Sequence, residues 1–331
     1  MSGMVSLYTI YNSCTANNYK NNTYFESVFN IFKNQGYATS SMHNYTEGYY
    51  FRNKIHTNMG SEKYYGVQAL GIDYSTAYKE WPSDEEFFDV AMDILLDSNS
   101  DKPFMTWLTT VTPHQPYSVS SEYGDLYLDR FKDTKLPKDI QRYYSKLTVF
   151  DNALGLLIER LKDAGELENT VIVMYGDHYP YGLSKSNLKK VLDYDLNDYE
   201  AERTPFVIYN PELEPQKFTE YTSYMNIVPT VANLFNLNHD PRLYMGTDLL
   251  SDSYESLVVF ADGSWKNEIA YYNASTGNIK YYTDIEYSVE KIQEINAGIY
   301  CFDIQIYWCY LLYMKCYLFY TLFYQAFTYS C

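Results

Sequence analysis

The chain has 331 residues, 46% of them hydrophobic, which is enough apolar material for one large domain or two small ones with a substantial core. The formal net charge is -17 and no basic run occurs, which excludes a nucleic-acid-binding protein because such binding needs clustered Lys and Arg. Cys14 stands alone and the other cysteines lie at or after Cys301, so the main body has neither a disulfide framework nor a zinc ribbon.

Hydrophobic periodicity predicts alternating helices and strands in the first half of the chain. Apolar residues at helical spacing predict a helix within 24–35 and a second one after Ser83, where Ser83 and Glu86 form a capping-box pattern. Short apolar runs predict strands at 37–42 and 104–111.

The second half repeats this pattern. An amphipathic helix is predicted over 147–161, and the TVIVMY run at 170–175 predicts a strand that is covered on both faces. Two further strands, at 206–209 and 257–260, are predicted on either side of a helix at about 223–234. The alternation indicates an α/β fold with a mostly parallel sheet and helices on both faces.

The composition divides the chain into three parts. Residues 1–262 form the predicted α/β domain. The runs 269–272 and 279–282 flank a Ser-Thr-Gly-Asn turn, which predicts a hairpin in a small antiparallel subdomain over 263–299. Residues 300–331 are rich in Tyr and Cys but are interrupted by charged and amide residues, so this tail is either membrane-associated or non-native.

Three histidines follow predicted strands: His43, His114 and His178. Open parallel sheets bind ligands beyond the carboxyl ends of their strands, so these positions are favoured for function. Asp177 and His178 offer an oxygen and a nitrogen ligand after the turn at Gly176, which suits a divalent cation such as Mn, Mg or Zn. The alternative is an Asx turn beside an incidental histidine.

His114 and Arg52 are the other candidates. His114 lies in a Thr-Pro-His-Gln-Pro-Tyr loop stiffened by two prolines, and it could donate a hydrogen bond to phosphate or protonate a leaving alkoxide. Arg52 follows three aromatic residues and could bind phosphate through two hydrogen bonds. The alternatives are a surface-loop histidine and a solvated arginine. His56 and His239 are assigned no role.

Taken together, these motifs resemble the extracellular domain of lipoteichoic acid synthases and related phosphoglycerol transferases, members of the sulfatase/alkaline phosphatase superfamily. The resemblance covers roughly residues 5–298. It is carried by a series of motifs in one order: NQGY (34–37), His43, YFR (50–52) with Gly60, TPHQPY (112–117), YGDHY (175–179), RT (203–204), IVPT (227–230) and MGTD (245–248).

The resemblance implies an alkaline-phosphatase-like three-layer α/β/α fold with a small C-terminal antiparallel subdomain. It implies that Asp177 and His178 bind Mn or Mg, with Zn less favoured. It also implies that four residues contact the substrate's glycerol phosphate group: His43, Tyr50, Arg52 and His114. Tyr50 replaces a tryptophan of the family and Tyr45 an acidic residue, which leaves the head group open.

The implied reaction transfers glycerol phosphate from phosphatidylglycerol, or a related anionic lipid, to polyglycerol phosphate or a glycolipid. The implied location is the extracytoplasmic face of the cell membrane, with a membrane-anchored parent enzyme, although no secretory signal is predicted at Met1. In the family a threonine nucleophile and a metal-binding glutamate precede the segment matched here by 6–8. We therefore expect both to lie upstream of Met1, and the chain alone to be inactive.

Two alternatives remain. Tyr45 and Tyr50 would also be compatible with a sulfate-ester hydrolase or a phosphoethanolamine transferase of the same fold. An ordinary sulfatase is disfavoured because Cys14 is followed by neither the proline nor the arginine of that motif. The chain could instead be a non-catalytic fragment or pseudoenzyme that binds a polyanion or a cell-wall partner.

Overall fold

A computed structural model describes residues 1–8, 15–73, 81–97 and 102–299. Cys14 and the predicted tail at 300–331 lie outside the described residues. The α helices are α1 (Ser2–Val5), α2 (Thr15–Asn18), α3 (Val28–Lys33), α4 (Arg52–Asn58), α5 (Asp84–Leu95), α6 (Glu122–Leu126), α7 (Lys138–Asp163), α8 (Lys185–Leu188) and α9 (Ile227–Leu234), and residues 289–299 are also helical. No helix in these ranges combines the length and apolar character needed to cross a membrane.

The strands are β1 (Ala38–His43), β2 (Lys63–Tyr65), β3 (Phe104–Thr109), β4 (Ile172–Tyr175), β5 (Phe206–Tyr209), β6 (Val258–Val259), β7 (Trp265–Lys266), β8 (Ala270–Tyr272) and β9 (Ile279–Tyr281). Most lie within a residue or two of the predicted positions. The helix predicted within 24–35 is shorter because Ser27 caps α3 by accepting a hydrogen bond from the Asn30 backbone N–H. The helix predicted at 147–161 begins earlier, directly after Pro137.

The central strands form two separate sheets. One is parallel, in the order β2-β1-β3, and its register pairs Ala38 with Phe104 and His43 with Thr109. The other contains β4 and β5, which pair in antiparallel directions. The apolar sequence of β5 could not predict its direction, because a strand with both faces covered has the same composition in either orientation.

Helices cover both faces of these sheets. On one face, α1, α3, α4 and α9 form a core that includes Phe29 and Val228 and receives Trp107 and Val173 from the strands. On the other face, α5 and α7 form a second core, which receives Leu108 and Ile172. The strands thus lie between two apolar helical layers, as the sequence predicts.

The C-terminal strands form a separate antiparallel sheet in the order β6-β7-β8-β9. The predicted hairpin is confirmed as β8 and β9. The strand predicted at 257–260 is present as β6, and it pairs with β7 in this sheet. The subdomain contacts the rest of the protein through an ion pair between buried Lys266 and Glu200 and through Tyr199, which stacks on Phe260 at 3.9 Å.

Candidate active site

A cavity of about 1730 Å³ includes the carboxyl ends of β1, β3 and β4. Its walls contain every residue that the sequence selects for the site: His43, Tyr50, Arg52, His114, Asp177 and His178. Tyr45 and Trp81 line the same cavity. The structure therefore brings the predicted residues to one place, while their individual roles remain predictions.

The loops after β3 and β4 meet at two histidines. The rings of His114 and His178 lie 5.7 Å apart at an angle of 86°. His178 Nε2 lies 3.7 Å from Asp177 Oδ1, and the Trp81 ring lies 5.2 Å from the His114 ring. The carboxylate and both imidazoles thus face a common space, as the hypothesis of a metal and phosphate site requires.

Each of the three site histidines has its Nδ1 atom within hydrogen-bonding distance of a backbone carbonyl oxygen. His43 Nδ1 is 2.8 Å from Thr109 O, His114 Nδ1 is 2.9 Å from Gln115 O, and His178 Nδ1 is 2.8 Å from Tyr179 O. Because a carbonyl oxygen only accepts, each Nδ1 must carry the proton. When the ring is neutral, Nε2 then presents a lone pair, which is the arrangement commonly found in metal-binding histidines.

His43 differs from the other two because it is buried, with 3% of its surface exposed. Burial, and next the charge of Arg52, lowers the pKa of His43 to about 3. His43 is therefore neutral near pH 7, and its Nε2 can accept a hydrogen bond but cannot donate one. A hydroxyl group suits this atom better than a phosphate oxygen.

Arg52 lies at the start of α4, after an unusual stretch of backbone. Tyr50 and Phe51 both have positive φ angles, 51° and 55°, which non-glycine residues adopt at an energetic cost. Arg52 Nη1 is buried and has no hydrogen-bond partner among the described residues. A buried guanidinium N–H without an acceptor is unfavourable, so this position favours an anion.

Asp84 is a supporting residue that the sequence did not identify. It is fully buried, and its carboxylate accepts hydrogen bonds from the Val111 and Thr112 backbone N–H groups and from Asn44 Nδ2. It thereby links the residue after His43 to the loop that carries His114. Burial raises the pKa of Asp84 to about 6, against the effect of its donors. In the sequence, it resembles an ordinary acidic residue in the first turn of a helix.

The turn that carries Asp177 is supported by the side chain of Tyr224. The Tyr224 hydroxyl donates to Gly176 O at 2.7 Å and lies 3.0 Å from Thr204 Oγ1. A Cβ atom at Gly176 would lie 3.3 Å from the Thr204 Cβ, so a side chain there would crowd this contact. Thr204 falls in one of the motifs noted in the sequence, but no role could be assigned to it there.

Asp177 and His178 provide an incomplete set of metal ligands. Their oxygen and nitrogen donors suit Mn, Mg or Zn. The Asp177 side chain is 74% exposed, however, and the described residues contain no group of three or more His, Cys, Asp or Glu side chains placed to hold a metal. The pair therefore fits a cation chemically and would need further ligands.

The remaining histidines lie elsewhere. His56 is buried beside Arg52, and its pKa is lowered to about 3 by burial and then by the Arg52 charge. His239 stacks on Tyr244 in the loop after α9. Neither lines the cavity that contains the predicted site.

A family model described as Sulfatase matches residues 2–237. This chain belongs to the sulfatase family. Among curated proteins it is 27% identical over 250 residues to lipoteichoic acid synthase of Staphylococcus saprophyticus, covering 74% of this chain and 38% of that protein. It is 25% identical over 300 residues to lipoteichoic acid synthase 2 of Bacillus subtilis, covering 87% and 45%. The chain thus spans less than half the length of these relatives.

Solved structures confirm the predicted fold class of this sulfatase-family chain. The lipoteichoic acid synthase LtaP from Listeria monocytogenes superposes with a TM-score of 0.77 at 22% identity, covering 92% of this chain and 78% of that one. An alkaline phosphatase superfamily protein from Vibrio parahaemolyticus gives a TM-score of 0.67 at 14% identity, covering 93% and 75%. The fold is alkaline-phosphatase-like.

Proposed function

We propose that this chain forms the substrate-binding part of a metal-dependent phosphoglycerol transferase at the extracytoplasmic face of the cell membrane. The parent enzyme would be membrane-anchored. The donor would be phosphatidylglycerol or a related anionic lipid, and the acceptor polyglycerol phosphate or a glycolipid. The observation that carries the proposal is the single cavity that joins Arg52, whose Nη1 atom is buried, and neutral His43 to the Asp177–His178 pair.

Each residue has a role that follows from its chemistry. Arg52 binds a phosphate oxygen through its unpartnered Nη1. His43 accepts a hydrogen bond from a glycerol hydroxyl through Nε2, because Nδ1 is committed to Thr109. This assignment makes the pocket selective for a head group that combines a phosphate with a hydroxyl.

The remaining three residues act at the phosphoryl centre. Asp177 and His178 would hold Mn or Mg, and such an ion would stabilise negative charge on the phosphoryl oxygens. His114, whose ring lies 5.7 Å from that of His178, can hold or deliver a proton at the leaving or accepting oxygen.

Paramagnetic relaxation tests both the proposed metal binding and the proposed glycerol phosphate binding, and it does not require turnover. Mn²⁺ bound at Asp177 and His178 should accelerate the ³¹P relaxation of glycerol phosphate added to the full chain. His178→Ala should abolish the acceleration by removing a metal ligand. The matched control is His239→Ala, which removes a histidine outside the cavity and should retain it. Equal acceleration in His178→Ala and wild type would refute the metal role.

Competition in the same experiment separates the head groups. Glycerol phosphate should bind the site more tightly than phosphoethanolamine or an aryl sulfate, because only glycerol phosphate offers a hydroxyl to His43. His43→Leu should reduce this preference. Stronger competition by phosphoethanolamine or by the sulfate ester would instead support the alternative that Tyr45 and Tyr50 leave open.

A further inference from the structure

Two surface segments follow the loops that carry the site histidines. Residues 118–139 come after the His114 loop and end in the first turn of α7, and residues 184–190 come after the His178 loop and contain α8. Tyr117 precedes the first segment, Tyr181 lies just before the second, and both line the cavity. The two segments therefore lie beside the cavity, at the end of the molecule where β3 and β4 finish.

The two segments are joined into one surface. Asn187 Nδ2 donates hydrogen bonds to both carboxylate oxygens of Asp139, at 2.8 and 3.0 Å. Beneath this contact the segments share a small apolar core, which includes Leu136, Ile140, Leu183 and Leu188. Their outer side chains are thus held at fixed positions relative to one another.

This surface carries an excess of positive charge. The ranges 129–139 and 184–190 contain seven Lys and Arg residues against three Asp, in a chain whose formal net charge is -17. The seven cations are spaced along the chain rather than consecutive, and all are exposed: Arg130, Lys132, Lys135, Lys138, Lys185, Lys189 and Lys190. We call the two ranges the basic rim. A positive region on a strongly negative protein favours an anionic partner at that place.

Exposed apolar side chains accompany the basic rim. Val119 and Leu126 are 53% and 56% exposed. Arg142 of α7 holds them near the start of that helix, because it donates to Asp125 Oδ1 at 2.7 Å and to the Ser118 carbonyl at 3.1 Å. Apolar side chains beside cations are typical of proteins that bind the surface of a membrane, whereas a soluble polyanion requires the cations alone.

We propose that the basic rim, together with Val119 and Leu126, docks on an anionic lipid surface and holds the cavity against it. The cations attract the charged head groups, and the two apolar side chains enter the boundary between head groups and acyl chains. The inference rests on the proposed function for its purpose, because a lipid donor must reach the cavity from a membrane. The docking itself depends only on the charges and apolar side chains of the rim.

Vesicle sedimentation with the full chain tests the charge contribution. The vesicles contain equal parts of phosphatidylcholine and phosphatidylglycerol. Replacing Lys132, Lys135 and Lys138 together by Gln should weaken binding about 100-fold, because each cation near an anionic surface contributes about 5-fold. The matched control removes three exposed cations near the amino ends of β2 and β3 and the carboxyl end of α7, with Lys63→Gln, Lys102→Gln and Lys162→Gln. It should change binding by about 3-fold at most, since these lysines lie at the opposite end of the sheet.

A second variant separates a lipid surface from a soluble polyanion. Val119→Ser combined with Leu126→Ser should weaken vesicle binding about 5-fold and leave the binding of long-chain inorganic polyphosphate unchanged. Residues 300–331 are present in every variant, so the differences between variants report the rim. Urea unfolding should show the same stability for all of them, because every substituted side chain is exposed.

Three results would overturn the docking proposal. One is equal binding of the wild-type chain to vesicles of phosphatidylcholine alone. Another is equal weakening by the control lysine variant, which would indicate a general charge effect. The third is unchanged vesicle binding by the serine variant, which would make the rim a binding surface for soluble polyanions. If Mn²⁺ and glycerol phosphate failed to bind, the proposed function would be contradicted while vesicle binding would be unaffected.

Discussion

The two sides of the site differ in how firmly they are held. On the β1–β3 side, His43 is 3% exposed, and Asp84 links the neighbouring loops through three accepted hydrogen bonds. On the β4 side, the Asp177 side chain is 74% exposed and the turn depends on a hydroxyl of Tyr224. The groups suited to the substrate are thus held more firmly among the described residues than the groups suited to the cation.

The largest effect is expected from removing the central support of the β1–β3 side. Asp84→Ala leaves two buried backbone N–H groups without their acceptor and removes one of the two acceptors of Asn44 Nδ2, so the free energy of unfolding should fall by roughly 3 to 5 kcal/mol. The matched control, Glu86→Gln, changes an exposed acid of the same helix and should alter stability by about 0.5 kcal/mol at most. Urea unfolding measures both. A loss below about 1 kcal/mol for Asp84→Ala would show that the support is dispensable.

The pH dependence of stability tests the neutral state of the buried histidines. The pKa values of His43 and His56 are lowered to about 3, so both are neutral in the folded protein while an unfolded histidine binds a proton below about pH 6.5. Their contribution to stability is therefore complete above pH 6.5 and is lost as the pH falls towards 3. Asp84, with its pKa raised to about 6, opposes this trend because its stabilising contribution declines as pH rises from about 4 to 6.

The unfolding free energy should therefore increase with pH overall, and a single substitution can isolate the contribution of one histidine. His43→Gln removes one proton-binding difference, so the slope of unfolding free energy between pH 5 and 6 should decrease by about 1.4 kcal/mol per pH unit. His56→Gln should give a similar decrease. Denaturant unfolding at several pH values measures the slope. An unchanged slope in His43→Gln would mean that this ring is protonated in the folded protein.

A smaller effect is expected when the shape of the cation on the substrate side is changed and its charge is kept. Arg52→Lys retains the positive charge but loses the planar fork, so glycerol phosphate binding should weaken about 10-fold, or about 1.4 kcal/mol. Lys54→Ala removes an exposed cation from the same helix and is the control. Calorimetry with the full chain measures both. Comparable weakening in the two variants would indicate a general electrostatic effect rather than a specific contact.

The sequence predicted local features of this molecule better than features that join distant segments. The Ser83 cap and the β8–β9 hairpin depend on residues close in the chain, and both were recognisable. The placement of His114 and His178 followed from the rule that sheet ligands lie beyond strand ends. Asp84 could not be recognised, because its function depends on a loop 27 residues away.

The smallest effect should come from the support on the β4 side. Tyr224→Phe removes the hydrogen bond to Gly176 O, so unfolding free energy should fall by about 1 kcal/mol, and Mn²⁺ affinity should fall a few-fold because the Asp177 turn loosens. The matched control is Tyr37→Phe, which makes the same change beside the amino end of β1 and should leave Mn²⁺ affinity intact. If Tyr224→Phe lowers stability without affecting Mn²⁺ affinity, the hydroxyl supports the fold alone and does not set the orientation of Asp177.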